Sequence, residues 1–189
     1  MSKERGLKEM VTNSIALLNN VIRQIDTKEA ALDEKDKRIF DEIVRAKQKG
    51  QNARANMLAN ELSQLRRTRK SIVGSKIVIE AIIQRLETAK EAGDFAANLA
   101  PAIAIVSSLK NHLASTMPEA LRNLNESFQD LSAVMVESGQ LTGYTPDIQL
   151  AGEEAERIIY EAQLAVENEA KTKFPEVPSE IRGQEAEEV

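Results

Sequence analysis

Apolar residues return every seven positions through the first half of this chain, and no proline interrupts them. Val11, Leu18, Ile25, Leu32, Ile39 and Ala46 hold one register, joined by Ile15, Ile22 and Ile43 in a companion register. A repeat of seven is the signature of a helix whose apolar seam faces another helix. It stops at Lys47-Gln-Lys-Gly50, where basic residues in a last turn and a following glycine mark a helix C-terminus. It resumes as Leu58, Leu65, Ile72, Ile79 and Leu86, with Leu62 and Ile83 in the companion seam, and ends near Gly93. Two helices of roughly 40 residues, each roughly 60 Å long and joined by a short turn, must lie antiparallel to bury their seams. The companion seam carries Glu29 and Asp36 on the first helix and Arg69 and Lys76 on the second, opposite charges that an antiparallel pair can neutralise.

All five prolines lie in the second half. An Ala-rich third helix is expected over 94–115 with Pro101 near its first turn, and Pro118 opens a fourth, for which Thr116 is a candidate N-cap. Residues 137–152 hold three glycines and Pro146 and read as a linker. Residues 153–171 form an acidic amphipathic helix, and 172–189 a Pro-interrupted acidic tail expected to be disordered past Phe174. The fold class is all-α: a long hairpin over 7–93, shorter helices three and four over 98–136 completing a core of 1–136, a linker, a fifth helix and a tail.

Composition supports this and removes most chemistry. Aromatic residues make up 3% of 189 residues, so aliphatic side chains and alanine carry the packing. The chain has no cysteine, which excludes disulfides and thiolate metal sites, and agrees with a reducing compartment. A lone His112 supplies no His-rich metal site, and Leu109 stands where a Glu-x-x-His motif of a di-iron bundle needs its glutamate. Neither a Gly-rich phosphate loop nor an HExxH spacing occurs, so the reading is a non-enzyme without cofactor. The first residues do not read as a signal peptide, and no apolar run is long enough to span a bilayer.

Charge is unevenly divided. Residues 1–90 carry 19 Lys and Arg against 12 Asp and Glu, while residues 91–189 carry 6 against 18. A basic half joined to an acidic half suggests attraction to an anionic surface through one part, and shielding of that part by the other. Lys3, Arg5 and Lys8 alternate with Leu7, Met10 and Val11, a pattern that can lay a helix start on anionic lipid. Arg54, Arg66, Arg67, Arg69 and Lys70 extend the candidate membrane surface along the second helix, each such charge being worth about 1 kcal/mol near anionic lipid. A solvated helix face accounts for the same residues without lipid. Nucleic acid ranks lower, because no aromatic residue interleaves with Arg66-Arg-Thr-Arg-Lys70.

A basic hairpin, two shorter helices, a linker, an acidic helix and a short Pro motif, in that order, resemble the ESCRT-III family, and within it the archaeal CdvB-type cell-division proteins. The most specific piece is Phe174-Pro-Glu-Val-Pro-Ser-Glu-Ile181, which is similar to the second type of MIT-interacting motif. In that motif an extended Pro-bearing segment docks along a groove of a helical MIT domain; Phe174, Pro175, Glu176, Val177, Pro178 and Ile181 would make the contact. Phe174 stands where the family has an aliphatic residue and Ile181 where a proline is common. The resemblance implies a subunit that switches between a closed monomer, its acidic end folded on the hairpin, and an open form that polymerises with itself and with related subunits. It further implies assembly on an anionic membrane at the inner face of the division site, and extraction by an MIT-domain AAA+ ATPase of the CdvC or Vps type. The competing reading is a prefoldin-like or adaptor coiled coil that never touches lipid.

Overall fold

The computed structural model describes residues 2–142 and 148–177, with the side chains of 96, 97, 140–142 and 148–150 left aside. It is all-helical among these residues: α1 Ser2–Gln48, α2 Asn52–Ala92, α3 Phe95–Leu113, α4 Leu121–Thr142 and α5 Ile148–Lys173, with one 3₁₀ turn at Pro118–Ala120. The expected hairpin is present. Its helices hold 47 and 41 residues, about 70 and 60 Å at a rise of 1.5 Å each.

Gly50 has φ 69°, a left-handed turn that a side chain would strain, and the Gln51 N–H reaches back to the Ala46 carbonyl at 2.8 Å. Gly93 closes α2 in the same way, with φ 74° and its N–H on the Ala89 carbonyl at 2.9 Å. The heptad residues are buried except Leu32 and Leu58 in the main register and Ile22 and Ile83 in the companion one, which are half-buried.

The helices do not cover the hairpin evenly. α4 runs antiparallel to α1, so that Glu119 lies by Gln24 and Asp130 by Asn13, and α3 packs on α2 and α4. One core therefore fills the end of the hairpin bounded by Ile25 on α1 and Ile72 on α2. A second, smaller core of Ile39, Ile43, Ala46, Ala55, Ala59, Leu62 and Leu65 fills the two-helix stem toward Gly50. Between the two cores lies a belt of charge. Lys76 meets Asp26 at 2.5 Å, Arg69 meets Glu29 at 2.8 Å and Asp33 at 2.6 Å, and Arg66 meets Asp36 at 2.7 Å. The seam charges thus neutralise one another across the hairpin, Glu29 with Arg69 directly and the others with a partner about one turn away.

Three local expectations change. α3 begins at Phe95, so Pro101 lies inside the helix and leaves the carbonyl of residue 97 without its usual donor. Burial compensates: α3 packs against α2, α4 and α5, and Leu99, Ala102, Ile103, Val106, Leu109 and Leu113 are all buried. Thr116 is not the N-cap of the next helix; Met117 precedes the 3₁₀ turn, and the Thr116 hydroxyl is closed off from solvent without a hydrogen-bond partner among the described residues. The linker read at 137–152 is largely helical, because α4 continues to Thr142 and α5 starts at Ile148. The disorder expected for the tail concerns residues that, beyond Val177, lie outside those described.

Candidate functional site

α5 lies on α2 and α3 as a strip of small and branched residues, with Ala155, Ile159, Ala162 and Val166 buried and Tyr160 and Leu164 facing out. It approaches α2 tightly at Gly74. A Cβ placed there would stand 2.9 Å from Gln163 Cγ and 3.3 Å from the Gln163 backbone, so only glycine lets the two helices lie this near. A glycine inside an exposed helix costs about 1 kcal/mol relative to alanine, a cost offset here by close packing.

From Gly74 the two helices run antiparallel. Lys70 Nζ meets Glu167 at 3.3 Å, Lys173 Nζ crosses to Asp33 of α1 at 2.9 Å, and the Arg66 guanidinium donates to the Pro175 carbonyl at 3.0 Å. The end of α5 therefore lands on the charge belt. Phe174, 7% exposed, fills the middle of it: Arg69 lies 4.8 Å, Arg66 5.5 Å and Lys173 5.6 Å from its ring centroid. A ring face attracts a cation most when both are withdrawn from water. Val177 continues onto the smaller core. These residues border a groove of about 1040 Å³ between α2 and the end of α5, whose lining includes Ala59, Leu62, Arg67, Lys171 and Glu176.

The belt is electrically balanced. Arg69 is 4% exposed at the side chain and Asp36 1%, so neither charge is solvated by bulk water and each depends on its partner. Burial would raise the Asp33 carboxyl, but hydrogen bonds from Lys173 and Arg69 outweigh it and hold the group below its ordinary value. The hydrogen bond that the Lys76 ammonium donates to the Asp26 carboxylate holds it above its ordinary value against desolvation. At the other end of α5, hydrogen bonds from Ser108 and then His112 of α3 hold the Glu156 carboxyl low. His112 Nε2 lies 3.2 Å from Glu156, which makes the lone histidine a contact between α3 and α5.

The candidate membrane residues are dispersed. Lys3 and Arg5 are exposed, Lys8 pairs with Glu4 at 3.4 Å, Leu7 is buried in the main core and Met10 packs against it. Arg54 is exposed beside Glu42, and Arg67 is exposed and donates to Ser63. Arg66, Arg69 and Lys70 are engaged by the chain's own carboxylates. Of the candidate partner motif, Phe174, Pro175, Glu176 and Val177 lie on the hairpin as described, and Pro178 and Ile181 lie outside the described residues. Sequence reading missed Asp33, Glu167, Lys173, Gly74 and Gln163. A glycine within an otherwise regular helical repeat was the available signal for Gly74; nothing local marked the rest, whose partners stand far off in sequence, 97 residues for Glu167 with Lys70 and 140 for Lys173 with Asp33.

Among the described residues no helix is long and apolar enough to cross a membrane, and no group of three or more potential ligands is placed to hold a metal ion. No solved structure matches the chain. Cell division protein B1 of Sulfolobus acidocaldarius is 31% identical over 173 residues, covering 92% of this chain and 81% of the relative. Cell division protein B of the same organism is 28% identical over 172 residues, covering 91% and 66%. The family model Snf7 matches residues 13–181, from the first helix through the docked Phe174 segment. With nearly the whole chain matched, this protein belongs to the Snf7 family, the family of ESCRT-III proteins.

Proposed function

We propose that this protein is an ESCRT-III-like cell-division subunit that polymerises, with itself and with related subunits, on anionic membrane to constrict and sever membrane necks, and that an MIT-domain AAA+ ATPase disassembles the polymer. Family membership and the names of the two relatives support the cell-division role. The observation that carries the mechanism is the docked α5: its acidic Glu167, with Lys173, Phe174 and Pro175, engages the charge belt and occupies Arg66 and Lys70. This arrangement is the closed subunit. Release of α5 frees Lys70, leaves Arg66 on Asp36 alone, and bares the α2 face around Gly74, a long surface on which neighbouring hairpins can stack and anionic lipid can bind.

Removing everything after Thr142 tests this. The truncated chain should sediment with vesicles containing anionic lipid and form filaments visible by electron microscopy, while the intact chain does so more weakly; raised salt should release both from lipid. A truncated chain that remains monomeric and ignores anionic vesicles would favour an adaptor coiled coil instead.

A further inference from the structure

The two halves of the hairpin are held very differently. The head, bounded by Ile25 and Ile72, shares its core with α3, α4 and α5. The stem toward Gly50 has the smaller core, in which three of the seven buried side chains are alanines, Ala46, Ala55 and Ala59. The charge belt separates the two, and of the described residues half-buried Leu32 alone packs against both cores. Residues 173–177 sit at the root of the stem and touch both of its helices. Lys173 holds Asp33 of α1, the Pro175 carbonyl accepts from Arg66 of α2, and Val177 adds an apolar side chain to the stem core. We infer that the stem, from the belt to Gly50, opens as a cooperative unit of its own, and that residues 173–177 are a strap that sets how often it does so.

A helix in water draws most of its stability from the packing of its apolar face, and a core this small on two helices offsets little of the entropy lost in ordering them. Segments with few buried apolar contacts open at free energies below that of the whole chain. The strap has a seat only while the stem is ordered, because Asp33, Arg66 and the stem core stand together only then. Seating it therefore lowers the open fraction of the stem, and by the same factor an open stem unseats the strap. The face between α1 and α4, which the strap does not touch, has no such dependence. When the strap leaves, the hairpin becomes a firm head carrying a compliant tip, with the packing of the head unchanged.

Hydrogen exchange read by mass spectrometry on the full chain tests this from both ends. In the double variant Phe174→Ala with Val177→Ser, amides of residues 41–48 and 52–58 should exchange at least about tenfold faster than in the unsubstituted chain, while those of 14–25 and 121–134 change by less than about twofold. Unchanged protection of the stem would remove the strap. Head amides that accelerate as much as stem amides would make the hairpin a single unit and overturn the division. Gly50→Ala is the converse perturbation, since it strains the left-handed turn at the far end of the stem and leaves residues 173–177 as they are. It should speed exchange in the stem and spare the head. The chain has no tryptophan, so Phe174→Trp reports the seat of the strap: adding Gly50→Ala should make that tryptophan more accessible to acrylamide. A tryptophan quenched equally with and without Gly50→Ala would break the coupling between stem and strap.

Discussion

Arg69 faces the Phe174 ring from 4.8 Å while its guanidinium donates to Glu29 and Asp33 of α1. One side chain thus ties the second helix to the first and both to the segment that follows α5. Lysine cannot reproduce this, since a point charge lacks the planar fork and stacks poorly. Arg69→Lys should lower stability by about 1–2 kcal/mol, and Arg69→Ala by about 3 kcal/mol because it leaves Glu29 without its partner and Asp33 with Lys173 alone. In a double-mutant cycle with Phe174→Leu, urea denaturation should give a coupling of about 0.5–1 kcal/mol; strict additivity would contradict the contact.

Ser14 of α1 and Ser127 of α4 meet hydroxyl to hydroxyl at 2.5 Å, both wholly buried. Ser14→Ala alone leaves the other hydroxyl unsatisfied and should cost about 1–2 kcal/mol. Adding Ser127→Ala should recover much of that loss, because two methyl groups suit the apolar surroundings. Denaturant midpoints for the two single variants and the double variant decide it, and a double variant that is the sum of its parts would exclude the pairing.

Thr116 is the reverse case, a hydroxyl turned inward without a partner among the described residues. Thr116→Val removes the polar atom at constant shape and should stabilise by up to about 1 kcal/mol. A melting temperature that falls would show that the hydroxyl is satisfied after all.

Acid should loosen α5 before it unfolds the hairpin. Asp33 and Glu156 both have carboxyls held below their ordinary values, so the stability they contribute is present above the unfolded-state pKa of about 4 and is lost as pH falls through the lower folded value. Lys76 behaves oppositely: its contribution is present below about 10.5 and lost as pH rises through the higher folded value. Stability measured against pH should therefore fall off below about pH 4, and Asp33→Asn should flatten that acid limb. An unchanged acid limb in Asp33→Asn would remove Asp33 from the account.

The hairpin was legible because its determinant is local and repetitive: a register of sevens cannot be buried except against a second such helix, and Gly50 and Gly93 state where each rod stops. The seam charges were legible as a group for the same reason, but Asp36 pairs with Arg66 and Lys76 with Asp26, offsets set by the crossing of the helices rather than by spacing. α3 runs through Pro101 because tertiary burial outweighs a local breaker. The seat of Phe174 was illegible for a different reason. An aromatic residue in a Pro-bearing acidic stretch looks like a solvent-exposed anchor, and only the folded hairpin brings Arg66, Arg69 and Lys173 around it.

Along α5 and its continuation, contacts rise from Gln163 to Glu167 to Pro175 as their partners on α2 descend from Gly74 to Lys70 to Arg66. A pull applied downstream of Val177 does not strain these contacts in parallel. It reaches Val177 first, then the Phe174 cage, then Lys173 with Asp33, then Glu167, and the tight crossing at Gly74 only after these. Peeling loads one contact at a time, so a force too small to part all of them together is enough to part them in turn.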